Sequence, residues 1–312
     1  SSIKEWEIAI EQALSENKKP DLLKKRYEFA QSNTWKKRAL LMIDQIRSIF
    51  PIISIIIISY NNWEYTQLCL ASVEKNTSYP NYEIILIDNG SNNQTIRYLK
   101  EIQAKNNHIR MIFNKENLGF PKANNQAAQI AQGEYLIFLN NDTIVTPGWM
   151  HRLFRCLQST PEAGMVGPVT NSIGNEAKID VPYEDISGIN SFSAERAKEF
   201  SGVKLEINVL ALYCCMIPRK IFESVGGLDD RYEIGMFEDD DLAIKIRQKN
   251  LKLICAEDVY VHHFHSASFS NLSEDEYQRI FTLNKNKFEK KWGIKWQPHQ
   301  YRDSGLQKQD SR

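Results

Sequence analysis

Between Ile52 and Ser59 six of eight residues are isoleucine. So continuous a β-branched run reads as a strand buried on both faces, the situation of a parallel sheet covered by helices on both sides. The same texture returns at Tyr82 to Ile87, Ile109 to Phe113 and Tyr135 to Leu139. Helical patterns separate these runs, over Trp63 to Asn76, Thr95 to Lys105 and Lys122 to Ala131. Alternation of this kind predicts an α/β fold with a central, mostly parallel sheet. After Asp142 the pattern loosens through Gly164 to Tyr183, then gives a strand near Val209 to Ile217, a helix from Asp240 to Lys249 and a short strand from Leu251 to Ala256. A helix over Glu274 to Lys291 follows, with Trp292 and Trp296 available to dock it.

Residues 1–50 have a different character. Ile3, Trp6, Ile10, Ala13 and Leu14 recur at helical spacing, Pro20-Asp21 punctuates, and two more helical stretches run to about Ala30 and from Thr34 to Ile49. This is a helical appendage or linker, and its clusters Lys24-Lys25-Arg26 and Lys36-Lys37-Arg38 read as a solvated face. The expected domains are therefore 1–50, a catalytic unit over 51–270 divided near 145, and a C-terminal helix and tail over 271–312.

The longest apolar run, Pro51 to Ile58, is far below the roughly 18 residues a spanning helix needs. Five cysteines without a CxxC pair suit reduced, buried thiols, and the N-terminus carries no apolar signal core, so a cytoplasmic setting is expected. The net charge of zero hides an uneven distribution. Residues 1–50 hold ten Lys/Arg against seven Asp/Glu and residues 285–312 eight against three, which leaves 51–284 with 21 against 29. An acidic centre argues against nucleic acid as partner and fits a divalent cation bridging carboxylates to an anionic ligand. The basic C-terminal end is either a solvated tail packing its tryptophans or an attachment to anionic lipid.

In an open α/β sheet the carboxyl ends of the strands converge on one crevice, and polar residues stand at those ends here. The first strand ends Ser59-Tyr60-Asn61-Asn62, with no glycine, which disfavours a GxGxxG or P-loop cradle. The second ends Asp88-Asn89-Gly90-Ser91, where Asp88 either accepts from a base or ribose or caps an Asx-turn. Asn117-Leu118-Gly119-Phe120-Pro121 is a strand-to-helix turn in which Gly119 supplies a special backbone angle. The fourth strand ends Asn140-Asn141-Asp142, oxygen donors that suit Mg2+ or Mn2+ or make a plain turn. Glu238-Asp239-Asp240-Asp241 opens a helix; its dipole is stabilised by about 0.3–1 kcal/mol per charge, which does not require four mutually repelling carboxylates. One of them is a candidate general base. His262, His263 and His265 crowd the end of a β-like run and offer a metal ligand.

Together these segments, with Val225-Gly226-Gly227-Leu228-Asp229, resemble glycosyltransferase family 2 over about residues 52–270. The resemblance implies a GT-A fold and a metal-dependent, inverting transfer from a nucleoside-diphosphate sugar, UDP- or dTDP-linked, to a glycan, lipid-linked or protein-linked acceptor, as in bacterial surface polysaccharide synthesis. It also implies roles for single residues. Ser59 and Tyr60 would line the nucleobase pocket, and Asp88, Asn117, Gly119, Asn140 and Asn141 would meet the nucleotide sugar. Asp142 and His263 would hold Mn2+ or Mg2+, Asp239 would be the base, and Glu238 and Asp241 would stand on the acceptor side. The chain departs from the family pattern at Asn140, often aspartate, and at His265, usually a small residue. A sugar nucleotidyltransferase, a metal-dependent hydrolase and a non-catalytic sugar-binding module are the rival readings, and the chain could be a module of a larger one.

Overall fold

The computed structural model describes residues 2–16, 20–106, 109–264 and 273–302. His265 lies outside them, as does the end of the basic tail. The chain divides into two compact units, Ser1–Phe50 and Pro51–Arg312.

The first unit holds α1 (Ile3–Glu16), α2 (Pro20–Ser32) and α3 (Trp35–Ile49). The helices form where the spacing predicts them, but none of their described side chains is buried. Trp6, Phe29 and Trp35 stand 63%, 67% and 85% exposed. Both basic clusters are exposed as well.

The second unit is built on β1 (Ile53–Ser59), whose Ile53, Ile55, Ile56 and Ile57 are inaccessible to solvent. It pairs in parallel with β2 (Tyr82–Asp88) on one side and β4 (Tyr135–Asn140) on the other, while β3 (Ile109–Phe113) extends β2. The chain thus runs outward through β2 and β3 and returns across β1, which creates a topological switch point between β1 and β4. Register puts Ser59 opposite Asp88 and Ile58 opposite Asn140, so the polar strand ends share one edge. Between these strands run α4 (Trp63–Asn76), α5 (Asn93–Lys105) and α6 (Phe120–Ile130), the last lying against β1 and β2.

Beyond β4 the sheet becomes mixed. β8 (Cys214–Pro218) pairs antiparallel with β4, and β6 (Ala163–Val169) antiparallel with β8. β9 (Lys252–His263) runs parallel to β6, and its other side receives β5 (Thr143–Val145) and β7 (Lys204–Glu206), both antiparallel. The parallel character read from the sequence therefore belongs to the first half. Helices α7 (Trp149–Gln158), α8 (Ile189–Glu199), α9 (Arg219–Ser224) and α10 (Glu238–Arg247) cover the second half. A capping box at Ser273 opens α11 (Glu274–Trp292), and Gly293 in the left-handed region closes it.

Two strands differ from expectation. The region Val209–Tyr213 is buried but irregular, and β8 begins only at Cys214. Leu251–Ala256 and the histidine run are one twelve-residue strand, β9. The charges Glu257 and Asp258 suggest a break there, yet both lie within the strand, buried. Asp258 accepts from Arg155, and Glu257 is paired with both Arg196 and Arg302. Breaking a buried ion pair from one side leaves the other charge stranded at a cost of about 3–5 kcal/mol. Glu257→Ala should therefore lower the unfolding free energy measured in urea by an amount of that order, whereas Glu206→Ala, whose Lys252 partner is exposed, should leave it nearly unchanged.

Candidate active site

The carboxyl edge of the β1–β4 half opens onto a cavity of about 460 Å³. Tyr60, Asn117, Asn140, Asn141, Asp142, Glu238, Asp239 and His263 all line it, although the sequence scatters them over more than 200 positions. Four sequence candidates are absent from its wall. Ser59 is completely buried, its hydroxyl engaged with Thr66 Oγ1 at 3.0 Å, so it supports the wall from behind. Asp88 is 1% exposed at the sheet edge, with Oδ2 accepting from Ser91 N at 3.4 Å. Its Oδ1 has no hydrogen-bond partner among the described residues, and burial raises its pKa above the usual carboxylate value. Gly119 shapes the wall without lining it.

Asp241, expected on the acceptor side, is instead wholly inaccessible. Lys245 Nζ lies 3.0 Å from Oδ2, and Lys291 Nζ and Trp292 Nε1 donate to Oδ1. Two steps along the helix from Asp239 turn a carboxylate from the cavity into the protein, where these cations pair with it.

Antiparallel register brings Asp142 to His263. Thr143 stands opposite His263, and Phe264 N donates to Asp142 O, so the two side chains emerge together. His263 Nε2 lies 3.3 Å from Asp142 Oδ1, and the ring stacks on Tyr213 with centroids 5.1 Å apart. Nδ1 meets the carbonyl oxygen of Ser172 at 3.0 Å, and a carbonyl can only accept, so Nδ1 carries a proton. Nε2 then faces a carboxylate oxygen at close range, an arrangement that calls for a shared proton or cation between them. No cluster of three or more His, Cys, Asp or Glu ligands exists among the described residues. One carboxylate and one imidazole fit a hard divalent ion that takes its remaining ligands from phosphate and water. His262 turns the other way, its Nδ1 2.8 Å from Tyr183 Oη, and burial lowers its pKa to about 4. It belongs to the core.

The opposite wall is the loop before α10. Ile234, Met236 and Phe237 all have positive φ, at 61°, 78° and 76°. Such angles in non-glycine residues cost about 1–3 kcal/mol each and need external support. Buried Asn284 of α11 supplies it, donating to Gly235 O at 2.8 Å and Glu233 O at 3.2 Å. On the cavity side Phe120 N donates to Ile234 O at 2.8 Å.

This loop presents Glu238 and Asp239. Burial raises the proton affinity of Glu238 well above the usual carboxylate value. Asp239 keeps access to the cavity, yet dense surroundings and the neighbouring charge of Asp240 lift its pKa to about 6, against a lowering by His299. Asp240 faces away, 3.1 Å from Trp296 Nε1 and 3.3 Å from His299 Nε2. Two carboxyls with different proton affinities thus face the cavity while two lie tied down behind it.

Sequence reasoning did not single out Asn89, Tyr213, Asn284 or His299. Asn89 bridges two loops, its Nδ2 donating to Asn117 Oδ1 at 2.8 Å and its Oδ1 accepting from Leu118 N at 3.1 Å. In the sequence it reads as part of a turn. Asn284 and His299 lie in segments with no motif, and only the fold carries them to the site.

The family model for Glycosyl transferase family 2 matches residues 54–226. The O-antigen biosynthesis protein RfbC of Myxococcus xanthus is 27% identical over 70% of this chain, which spans 18% of that relative's length. GalNAc-T7 with UDP, GalNAc and Mn2+ has a similar fold at a TM-score of 0.57 and 19% identity, over 78% of this chain and 51% of that one. The mannosyltransferase PcManGT of Pyrobaculum calidifontis, in complex with GDP-Man and Mn2+, gives 0.54 and 16% over 83% and 73%. At such identities these two structures speak for the fold, which is GT-A.

Gly119 tests the wall itself. Its φ of 81° with ψ of 165° lies in a region reserved for glycine, and an added Cβ would come 2.8 Å from Ile234 N. Gly119→Ala should lose about 1–3 kcal/mol of stability in urea unfolding; an unchanged midpoint would show that the two walls are not in tight register.

Proposed function

The chain belongs to glycosyl transferase family 2, and we propose that it transfers a sugar, with inversion, from a nucleoside-diphosphate sugar to a hydroxyl of a surface-polysaccharide or lipid-linked acceptor. The observation that carries this reading is the meeting of the Asp142–His263 pair and the Glu238–Asp239 pair on one cavity. A UDP- or dTDP-linked donor would place its nucleoside toward Tyr60, Asn117 and the orphan oxygen of Asp88. Asp142 and His263 would hold Mn2+ or Mg2+, which when bound supplies positive charge to the leaving diphosphate. Nucleotide and Mn2+ in the two similar structures support the donor and the ion, and the O-antigen relative supports a polysaccharide acceptor.

Asp239 would remove the proton of the acceptor hydroxyl as its oxygen attacks the anomeric carbon opposite the leaving group. A base with a pKa of about 6 is ionised at neutral pH yet retains proton affinity. Glu238, whose proton affinity burial raises, lines the cavity beside it. Inversion needs this one base and no protein nucleophile. Among the described residues no helix is long and apolar enough to cross a membrane. Lys287, Lys291 and Arg302 of the basic end bind Glu233, Asp229 and Glu257 respectively, which favours docking over lipid attachment for that segment.

Three measurements bear on the reading, with the donor first found by a thermal-shift screen of nucleotide sugars with Mn2+. Because the ionised base is the active form, kcat/KM should rise through about pH 6 and level off above it. Asp239→Asn should lower kcat by about 10² or more with donor binding almost intact; full activity would remove Asp239 from the base role. Asp142→Ala and His263→Ala should each weaken nucleoside-diphosphate binding in calorimetry with Mn2+ present. Equal affinities with and without the ion, in wild type and both variants, would exclude a shared cation site. Donor turnover that ignores acceptor would favour a hydrolase.

A further inference from the structure

Four successive carboxylates open α10, and the segment that sorts them lies beyond the residues the family model matches. After Gly293 ends α11, the chain runs back along the acidic turn to Arg302. Trp292 Nε1 takes Asp241 Oδ1 at 2.9 Å, Trp296 Nε1 takes Asp240 Oδ1 at 3.1 Å, and His299 Nε2 lies 3.3 Å from the same Asp240 oxygen. Arg302 fixes the far end, with both guanidinium arms 3.0 Å from Glu257 and Nε 2.7 Å from Glu176 O.

We propose that this C-terminal strap, residues 293–302, is part of the active site, and that His299 is a positioning residue whose charge, paired with Asp240, screens the base Asp239 from its carboxylate neighbour. The inference rests on the reading of Asp239 as base.

The charges around the pair are few. Asp239 meets Glu238 and Asp240 on its own helix, the neutral thiol of Cys215 from β8, and His299 from the strap. His299 meets Asp240, Asp239 and Glu176, with the edge of the Trp296 ring beside it. Lys178 and Lys285 lie over the rings of Tyr301 and Trp296. Within the strap, Lys295 pairs with Glu289 and Arg302 with Glu257, while His299 pairs with Asp240 of this turn. The Asp240 bond raises its pKa, so its charge persists above the ordinary histidine range and is lost as pH climbs past the raised value. Near pH 6, where Asp239 titrates, His299 is therefore charged. Removing that charge should hold the proton on Asp239 to higher pH. The imidazole keeps 24% exposure, so it exchanges protons with solvent.

The test reads the Asp239 carboxyl directly, by 13C NMR pH titration of the full chain labelled at aspartate Cγ, with Asp239→Asn assigning the signal. In His299→Gln the midpoint of Asp239 should rise by about half a unit or more, and His299→Lys should restore it toward the wild-type value. With Asp240→Asn the midpoint should fall, and adding His299→Gln to that variant should shift it less than in the wild type, since without the Asp240 bond His299 loses the main cause of its raised pKa. Superimposed titrations of wild type and His299→Gln would overturn the proposal, as would an equal shift with and without Asp240. If His299→Gln does not fold, the Asp240→Asn and His299→Lys titrations decide alone: an unmoved midpoint in Asp240→Asn overturns the proposal, and a lowered one with a wild-type value in His299→Lys supports it. None of these readouts needs donor, so full activity in Asp239→Asn marks a wrong base, whereas an inactive Asp239→Asn with superimposed wild-type and His299→Gln titrations marks a wrong strap.

Discussion

Everything in the larger unit follows from β1 having no solvent face. A strand of isoleucines buried on both sides must have strands at both edges and helices on both faces, so polar groups can leave the sheet only at its ends. Because β1 is paired on one side with β2 and on the other with β4, the loops that follow these strands diverge, and the gap between them becomes the cavity. The site is therefore placed by hydrophobic burial before any of its polar residues acts.

The antiparallel half answers a second constraint. The proposed role of Asp142 and His263 needs the two side chains at a fixed separation, and Asp142 lies in a loop. Pairing of β5 with β9 converts that loop into a strand partner, and the Thr143–His263 register then sets the Asp142–His263 distance through backbone hydrogen bonds. Asn171 holds the His263 backbone from the other side, accepting from His263 N at 2.9 Å and donating to its carbonyl at 3.1 Å.

Local pattern made the parallel half readable almost to the residue, since α4 and β3 are where periodicity puts them. It failed wherever a distant partner overrules the local signal. Glu257 and Asp258 look like a strand break until Arg196, Arg302 and Arg155 arrive from far along the chain. Asp241 looks like its acidic neighbours until Lys291 and Trp292 reach it from α11. In α1 to α3 the failure is reversed: spacing gave the helices correctly, but an apolar stripe does not reveal what, if anything, will cover it. Strand-end motifs showed which carboxylates could do chemistry, whereas their division between cavity and interior depended on residues that carry no motif.

That division rests on a second, smaller core. Phe237, buried among Phe281, Phe288 and Trp296, is also the left-handed residue immediately before Glu238. Its aromatic packing fixes the angle at which α10 begins, and with it which carboxylates meet the cavity. A rotation of one residue, about 100° of helix, would exchange Asp239 for Asp240 and put a tethered carboxylate where a free one stands. The residues that pack Phe237 belong to α11 and the segment after it, so the C-terminal part of the chain cannot be a passive extension. It closes the small core, supports the strained loop through Asn284 and pairs with the carboxylates that the loop turns inward.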